Sequence, residues 1–182
     1  MLASQIARRV IAALNTAEIP HVLVGAFARN YYAEPRSTKD ADVVISTVGG
    51  LQMFLTALGS DFRLDEQLAF ETNTGTLKNV LVHSDSGFTV ELFSLSSDAH
   101  DQERFKRRRA TTYEGQPTFI LTADDYIVTK LRWPRSKDFD DARDVIAMQG
   151  DVLDWNYIHH WADVHGSRAK LERVRESIPK RN

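Results

Sequence analysis

Cysteine is absent from the chain, which removes disulfides, thiolate zinc sites and cysteine nucleophiles together. No apolar run approaches the roughly 20 residues that a membrane-crossing helix needs. Arg8 and Arg9 also interrupt the amphipathic N-terminal stretch before it could serve as a signal sequence. Neither charge sign is in excess: 23 Lys and Arg face 25 Asp and Glu, a formal net charge of -2, whereas proteins that coat duplex nucleic acid are usually strongly basic. The glycine-rich signatures are missing too. There is no Walker loop, Rossmann glycine set or Gly-x-Ser-x-Gly element, so P-loop, dinucleotide and serine-hydrolase chemistries lack support. Repeats, low-complexity segments and Pro/Gly/Ser-rich linkers do not occur either. These absences lead us to expect a cytoplasmic protein without a membrane partner.

What remains is a chain of 182 residues, 42% hydrophobic and 26% charged, enough for one sizeable core but short for two independent domains. Leu2, Ile6, Val10 and Leu14 recur at helical spacing and Pro20 follows, predicting a helix that stops before a strand at Val22 to Val24. Gly25 ends that strand, Ala26 to Ala33 reads as a short packed helix, and Glu34 to Thr38 as a loop. Val43, Val44 and Ile45 form a second β-branched run with Asp40 and Asp42 at its entrance, and Leu51 to Leu58 reads as a helix closed by Gly59. A hairpin is expected from Val80–Val82 and Phe88–Phe93 around Asp85-Ser86-Gly87, and a smaller one around Glu114-Gly115. Thr122 reads as the N-cap of a helix with Asp124 and Asp125 in its first turn, and two polar helices follow Asp154. The expected fold is α/β (α+β), a mixed sheet flanked by helices. Residues 1–121 would form this core and 122–182 a helical part packed on it as a single compact unit.

Asp40 and Asp42 are two residues apart at the start of a strand, so both side chains point to one face. Two carboxylates about 5 Å apart repel by roughly 3 kcal/mol at an effective dielectric near 20, and a divalent cation reverses the sign. Two solvated aspartates at a strand end would look the same in an isolated Asp-x-Asp. A third acid adds weight: Glu91 interrupts the strand Phe88 to Phe93, where Val90 and Leu92 should face the core and Thr89, Glu91 and Phe93 the other side. Three such carboxylates suit the two-metal arrangement used for in-line displacement at phosphorus, though a surface glutamate is the plainer account of Glu91 alone. Gly25 stands at a strand-to-helix turn, where the missing Cβ lets backbone amides approach phosphate oxygens or simply permits a tight turn. Arg36 and Lys39 lie in the loop before the acidic pair, either as phosphate contacts or as charge balance.

The ordered set Val24-Gly25-Ala26, Arg36-Ser37-Thr38-Lys39-Asp40-Ala41-Asp42 and Val90-Glu91-Leu92 resembles the DNA polymerase β-type nucleotidyltransferase superfamily. It is most similar to the small prokaryotic branch of AbiEii-like and minimal nucleotidyltransferases. A further match lies in Lys130-Leu131 and the segment Arg135 to Asp141, and the likeness spans about Pro20 to Val145. The resemblance implies a Mg2+ (or Mn2+) site on Asp40, Asp42 and Glu91. It also implies an NTP bound through Gly25, Ala26, Arg36 and Lys130, and transfer of a nucleoside monophosphate to a hydroxyl of a macromolecule such as tRNA or a protein. A toxin–antitoxin or phage-defence setting, with a cognate antitoxin as partner, is implied as well. The chain departs from the pattern at Ala26, where many members carry serine or a second glycine, and at Glu91, where aspartate is commoner. A degenerate module that binds nucleotide, RNA or a protein partner without turnover is the competing expectation.

Arg104 to Arg109 reads as a solvated basic helix face or as a patch that attracts an RNA backbone. His159, His160 and His165 read as helix-surface histidines, and Trp133, Trp155 and Trp161 as packing residues.

Overall fold

A computed structural model describes residues 3–46, 49–65, 69–71 and 75–179 of the protein. These divide into two units, Met1–Phe27 with Ser37–Leu121, and Ala28–Arg36 with Thr122–Asn182. The helical part expected from residue 122 onward thus lies in the second unit, together with residues 28–36.

In the first unit, α1 (Ala3–Thr16) buries Ile6, Ala7, Val10, Ile11, Ala13 and Leu14 along one stripe, the outcome of apolar residues spaced at three and four. It leads into β1 (His21–Leu23) and then α2 (Gly25–Tyr32), which starts in this unit and ends in the other. β2 (Asp40–Ile45) and α3 (Leu51–Leu58) follow. Phe54 and Leu58 of α3 are fully buried, each contributing on the order of 1.5–3 kcal/mol by leaving water. The chain continues through β3 (Phe62–Leu64), β4 (Ala69–Glu71), β5 (Thr76–His83), β6 (Thr89–Ser94), α4 (Ala99–Lys106), β7 (Arg109–Tyr113) and β8 (Gln116–Ile120).

Among the described residues, eight strands join one sheet in the order β3-β5-β6-β2-β1-β8-β7, with β4 paired to β5. The sheet is mixed, since β2 runs parallel to β6 and β1 parallel to β8 while the other pairs are antiparallel. β2 and β6 occupy its middle, where Val43, Val44 and Ile45 are buried because a central strand rewards β-branched side chains. Val90 and Leu92 are buried on β6 while Thr89, Glu91 and Phe93 are only partly covered, so the alternation read from the sequence is the one observed.

The basic run does not lie on one helix, which corrects the expectation of a basic helix face. α4 ends at Lys106, Arg107 is its C-cap and Arg109 opens β7. Arg104 is buried in an ion pair with Asp101 at 2.8 Å, and Arg108 lies over the rings of Phe105 and Phe119 at 4.2 and 4.8 Å. Partial burial lowers the pKa of Arg108. Lys106 and Arg109 remain exposed, and Arg107 and Arg108 partly so.

The second unit contains the end of α2, then α5 (Ala123–Leu131), α6 (Ser136–Gln149), a short 3-10 turn at Gly150–Val152, α7 (Trp155–Val164) and α8 (Arg168–Glu176). Thr122 caps α5 by accepting a hydrogen bond from the Asp125 amide, with Asp124 and Asp125 in the first turn. Such a cap is worth about 1 kcal/mol. Leu171 and Val174 are the buried residues of the otherwise polar α8. Among the three tryptophans, Trp155 donates to the Gly150 carbonyl and carries the Arg175 guanidinium over its ring at 4.5 Å. His159, His160 and His165 are half-buried or exposed at α7 and its C-cap. Among the described residues, no helix is long and apolar enough to cross a membrane.

Candidate active site

β2 and β6 pair in parallel with Asp40 opposite Thr89 and Asp42 opposite Glu91. Residues directly opposite in such a pair share a face of the sheet, about 4.8 Å apart. Asp42 and Glu91 are therefore immediate neighbours on adjacent strands, and Asp40 lies on the same face one pleat earlier. All three are partly exposed, so the face is wet enough for a ligand to reach it.

Local chemistry fixes each acid. The Thr38 hydroxyl donates to the Asp40 carboxylate and also reaches the Asp40 carbonyl at 3.2 Å, so the loop preceding β2 orients its first acid. The Asp42 carbonyl accepts from the Val24 amide at 2.9 Å, which extends the β1–β2 pairing to the doorstep of Gly25. Gly25 has φ +55°, a left-handed conformation that costs other L-residues roughly 1–2 kcal/mol. A Cβ built there would stand 1.9 Å from Asp42 Oδ2. The carboxylate therefore packs against bare backbone at the start of α2, and no other residue type fits without moving it. Ala26 follows on the first turn of the same helix, whose leading amides have no intrahelical acceptor.

Glu91 has a partner the sequence reading missed. Lys78 of β5 places its Nζ 2.8 Å from Glu91 Oε1, with both side chains about a quarter exposed (24% and 28%). The same ammonium lies 5.5 Å from the centre of the Phe93 ring, on the residue that pairs directly with Lys78 across the β5–β6 ladder. A lysine in a strand usually signals a solvent-facing position. Only the register of β5 against β6 could have put it beside Glu91.

Arg36 and Lys130 belong to the second unit, where they meet on Asp141. Arg36 Nη2 lies 2.7 Å from Asp141 Oδ1, while Lys130 Nζ lies 3.1 Å from Asp141 Oδ2 and 2.8 Å from Asp138 Oδ1. Arg29 adds an ion pair to Asp141 at 3.2 Å and one to Asp144 at 2.6 Å, and Arg135 adds one to Asp138 at 2.6 Å. Burial opposes ionisation of Asp138, but hydrogen bonds from Arg135 and Lys130 outweigh it and hold the carboxyl below its usual range. Lys130 is thus neither free nor an ordinary exposed helix lysine. It is held between two buried carboxylates of its own unit.

No protein-family model and no curated protein matches the sequence. Solved structures do match in fold. The crystal structure of ANT(2'')-Ia in complex with adenylyl-2''-tobramycin aligns with 91% of this chain and 98% of its own, at TM-score 0.62 and 14% identity. The solution structure of the antibiotic-resistance factor ANT(2'')-Ia covers 95% and 96% at TM-score 0.60 and 15% identity. An antigenic nucleotidyltransferase-like protein from Paracoccidioides brasiliensis covers 98% and 94% at TM-score 0.53 and 17% identity. With its helix-flanked mixed sheet, the chain has a nucleotidyltransferase-type fold.

Proposed function

We propose that this protein transfers a nucleoside monophosphate from an NTP to an acceptor hydroxyl, with Asp40, Asp42 and Glu91 as its metal-binding carboxylates. The observation that carries the reading is the register of Asp42 against Glu91, with the Gly25 backbone packed on the Asp42 carboxylate. Three acidic oxygen donors on one half-exposed face match what hard divalent cations take, and Mg2+, or Mn2+ in its place, would be held there. When bound, that ion supplies neutralisation of the triphosphate charge and lowers the pKa of the attacking hydroxyl.

The chain's own groups do the rest. Backbone amides at Gly25 and Ala26 donate to phosphate oxygens at the start of α2. Arg36 and Lys130 are assigned to phosphate oxygens on the family resemblance alone. The acceptor oxygen bonds to the α-phosphorus, the bond to the bridging oxygen breaks, pyrophosphate leaves, and the hydroxyl proton passes to a carboxylate of the site.

The resemblance supports a macromolecular acceptor, tRNA or protein, within the AbiEii-like branch and a toxin–antitoxin or phage-defence setting with a cognate antitoxin. A second acceptor class, a small polyhydroxylated amine, is favoured by one observation: the ANT(2'')-Ia structure of similar fold holds adenylyl-2''-tobramycin. The test is incubation with each labelled NTP and Mg2+, in turn with total RNA, protein extract and an aminoglycoside panel. Label should enter one acceptor class and be lost in Asp42→Asn. Nucleotide association without incorporation, insensitive to Mg2+, would overturn this reading in favour of a binding module.

A further inference from the structure

The ion pair between Lys78 and Glu91 is a feature the proposed chemistry does not use. Lys78 and Phe93 are direct partners in the antiparallel β5–β6 ladder, and Val80 is the partner of Glu91. Direct partners share a face, and so do Phe93 and Glu91, two residues apart on β6. Glu91 in turn shares its face with Asp42 across the parallel β6–β2 ladder. Lys78, Glu91 and Asp42 therefore form a line across three adjacent strands on one side of the sheet. The Lys78 ammonium lies over the Phe93 ring, 5.5 Å from its centroid, and the Nζ ends 2.8 Å from Glu91 Oε1.

We infer that Lys78 is a resident counter-cation of the acidic face. It ties down Glu91 while no nucleotide is bound and competes with a divalent cation for that carboxylate. The inference rests on the function proposed above. Its physical content is that one glutamate oxygen cannot be given fully to an ammonium and to a metal ion at once. The consequence is a metal site kept weak in the resting protein, where Glu91 is also prevented from swinging away from Asp42. The anionic triphosphate supplies the negative charge that makes cation entry favourable. A surface ion pair that merely decorates the sheet would leave cation affinity unchanged.

The measurement is Mn2+ binding to the nucleotide-free full-length protein, read by electron paramagnetic resonance of the free ion. Wild type, Lys78→Met, Lys78→Gln, Lys78→Arg, Asp42→Asn, Glu91→Gln and the Lys78→Met/Glu91→Gln pair are compared, with circular dichroism to confirm folding. Lys78→Met and Lys78→Gln should each tighten Mn2+ binding about 1.5-fold to fivefold, the range a half-exposed ion pair supports. Lys78→Arg should stay near wild type, and the gain should vanish in the Glu91→Gln background. Equal or weaker binding by both neutral variants, with binding still dependent on Asp42, overturns the role of Lys78 and leaves the metal site standing. A gain that persists in the Glu91→Gln background does the same, because it would mark a general field effect. Mn2+ binding that Asp42→Asn does not change would instead sink the metal-site reading, and this inference with it.

Discussion

Gly25 and Asp42 are fitted to each other: Asp42 Oδ2 occupies the space next to the glycine backbone, 1.9 Å from where a Cβ would stand. The close approach follows from the hydrogen bond of the Val24 amide to the Asp42 carbonyl, which brings the end of β1 against β2. The left-handed φ at Gly25 then turns the chain into α2.

Gly25→Ala should therefore damage both fold and site. The backbone conformation alone costs the new residue roughly 1–2 kcal/mol, and relief of the clash requires the carboxylate to leave its place. We expect a midpoint about 2–8 °C lower in thermal denaturation, from about 2–4 °C per kcal/mol at this chain length, together with loss of NTP-dependent transfer. Wild-type activity in a Gly25→Ala protein would show that the placement of Asp42 against this backbone is immaterial.

Asp42→Asn separates stability from function. Asp42 and Glu91 face each other across one strand spacing, and removing one charge relieves a repulsion of at most roughly 3 kcal/mol, reduced by solvent screening and by Lys78. The variant should melt no lower than wild type while losing transfer. Mg2+ should raise the wild-type midpoint and leave that of Asp42→Asn where it is, since only a cation bound to the native state stabilises it. Differential scanning calorimetry at several Mg2+ concentrations decides the point; equal Mg2+ shifts in both proteins would remove Asp42 from the metal site.

Much of this geometry is readable in the sequence where it is local, and hidden where it depends on pairing. Alternation from Phe88 to Phe93 places Glu91 opposite to Val90 and Leu92, and the spacing of Asp40 and Asp42 puts them on one face. That these two faces are the same face follows from β2 and β6 becoming parallel neighbours, which no local pattern encodes. Lys78 is invisible because Leu77-Lys78-Asn79 breaks the apolar alternation, so the sequence marks only the later part of β5, Val80–Val82. β3 and β4 are three residues each and owe their extension to pairing with β5 rather than to their own propensity. Arg36 finds Asp141 across 105 residues of chain, so its charge reads in isolation as a ligand contact when its first partner is an aspartate.

That aspartate cluster gives the last prediction. Asp138 is fully buried and accepts from Lys130 at 2.8 Å and from Arg135 at 2.6 Å. Asp138→Ala leaves Lys130 beside a single remaining carboxylate, Asp141, in a largely buried setting, so the loss should stay below the about 3–5 kcal/mol of a buried charge left with no partner. Asp138→Asn keeps the shape and should cost less. The pH dependence has a definite sign, because the folded pKa of Asp138 lies below its ordinary value of 3.8. Its stabilisation is fully present above that value and is lost as pH falls through the lower folded pKa. Urea unfolding of wild type and Asp138→Asn should therefore differ by a constant amount near neutral pH, and the gap should close as pH is taken below 3.8. A gap that stays constant across that range would mean that the charge of Asp138 contributes nothing to holding Lys130 and Arg135.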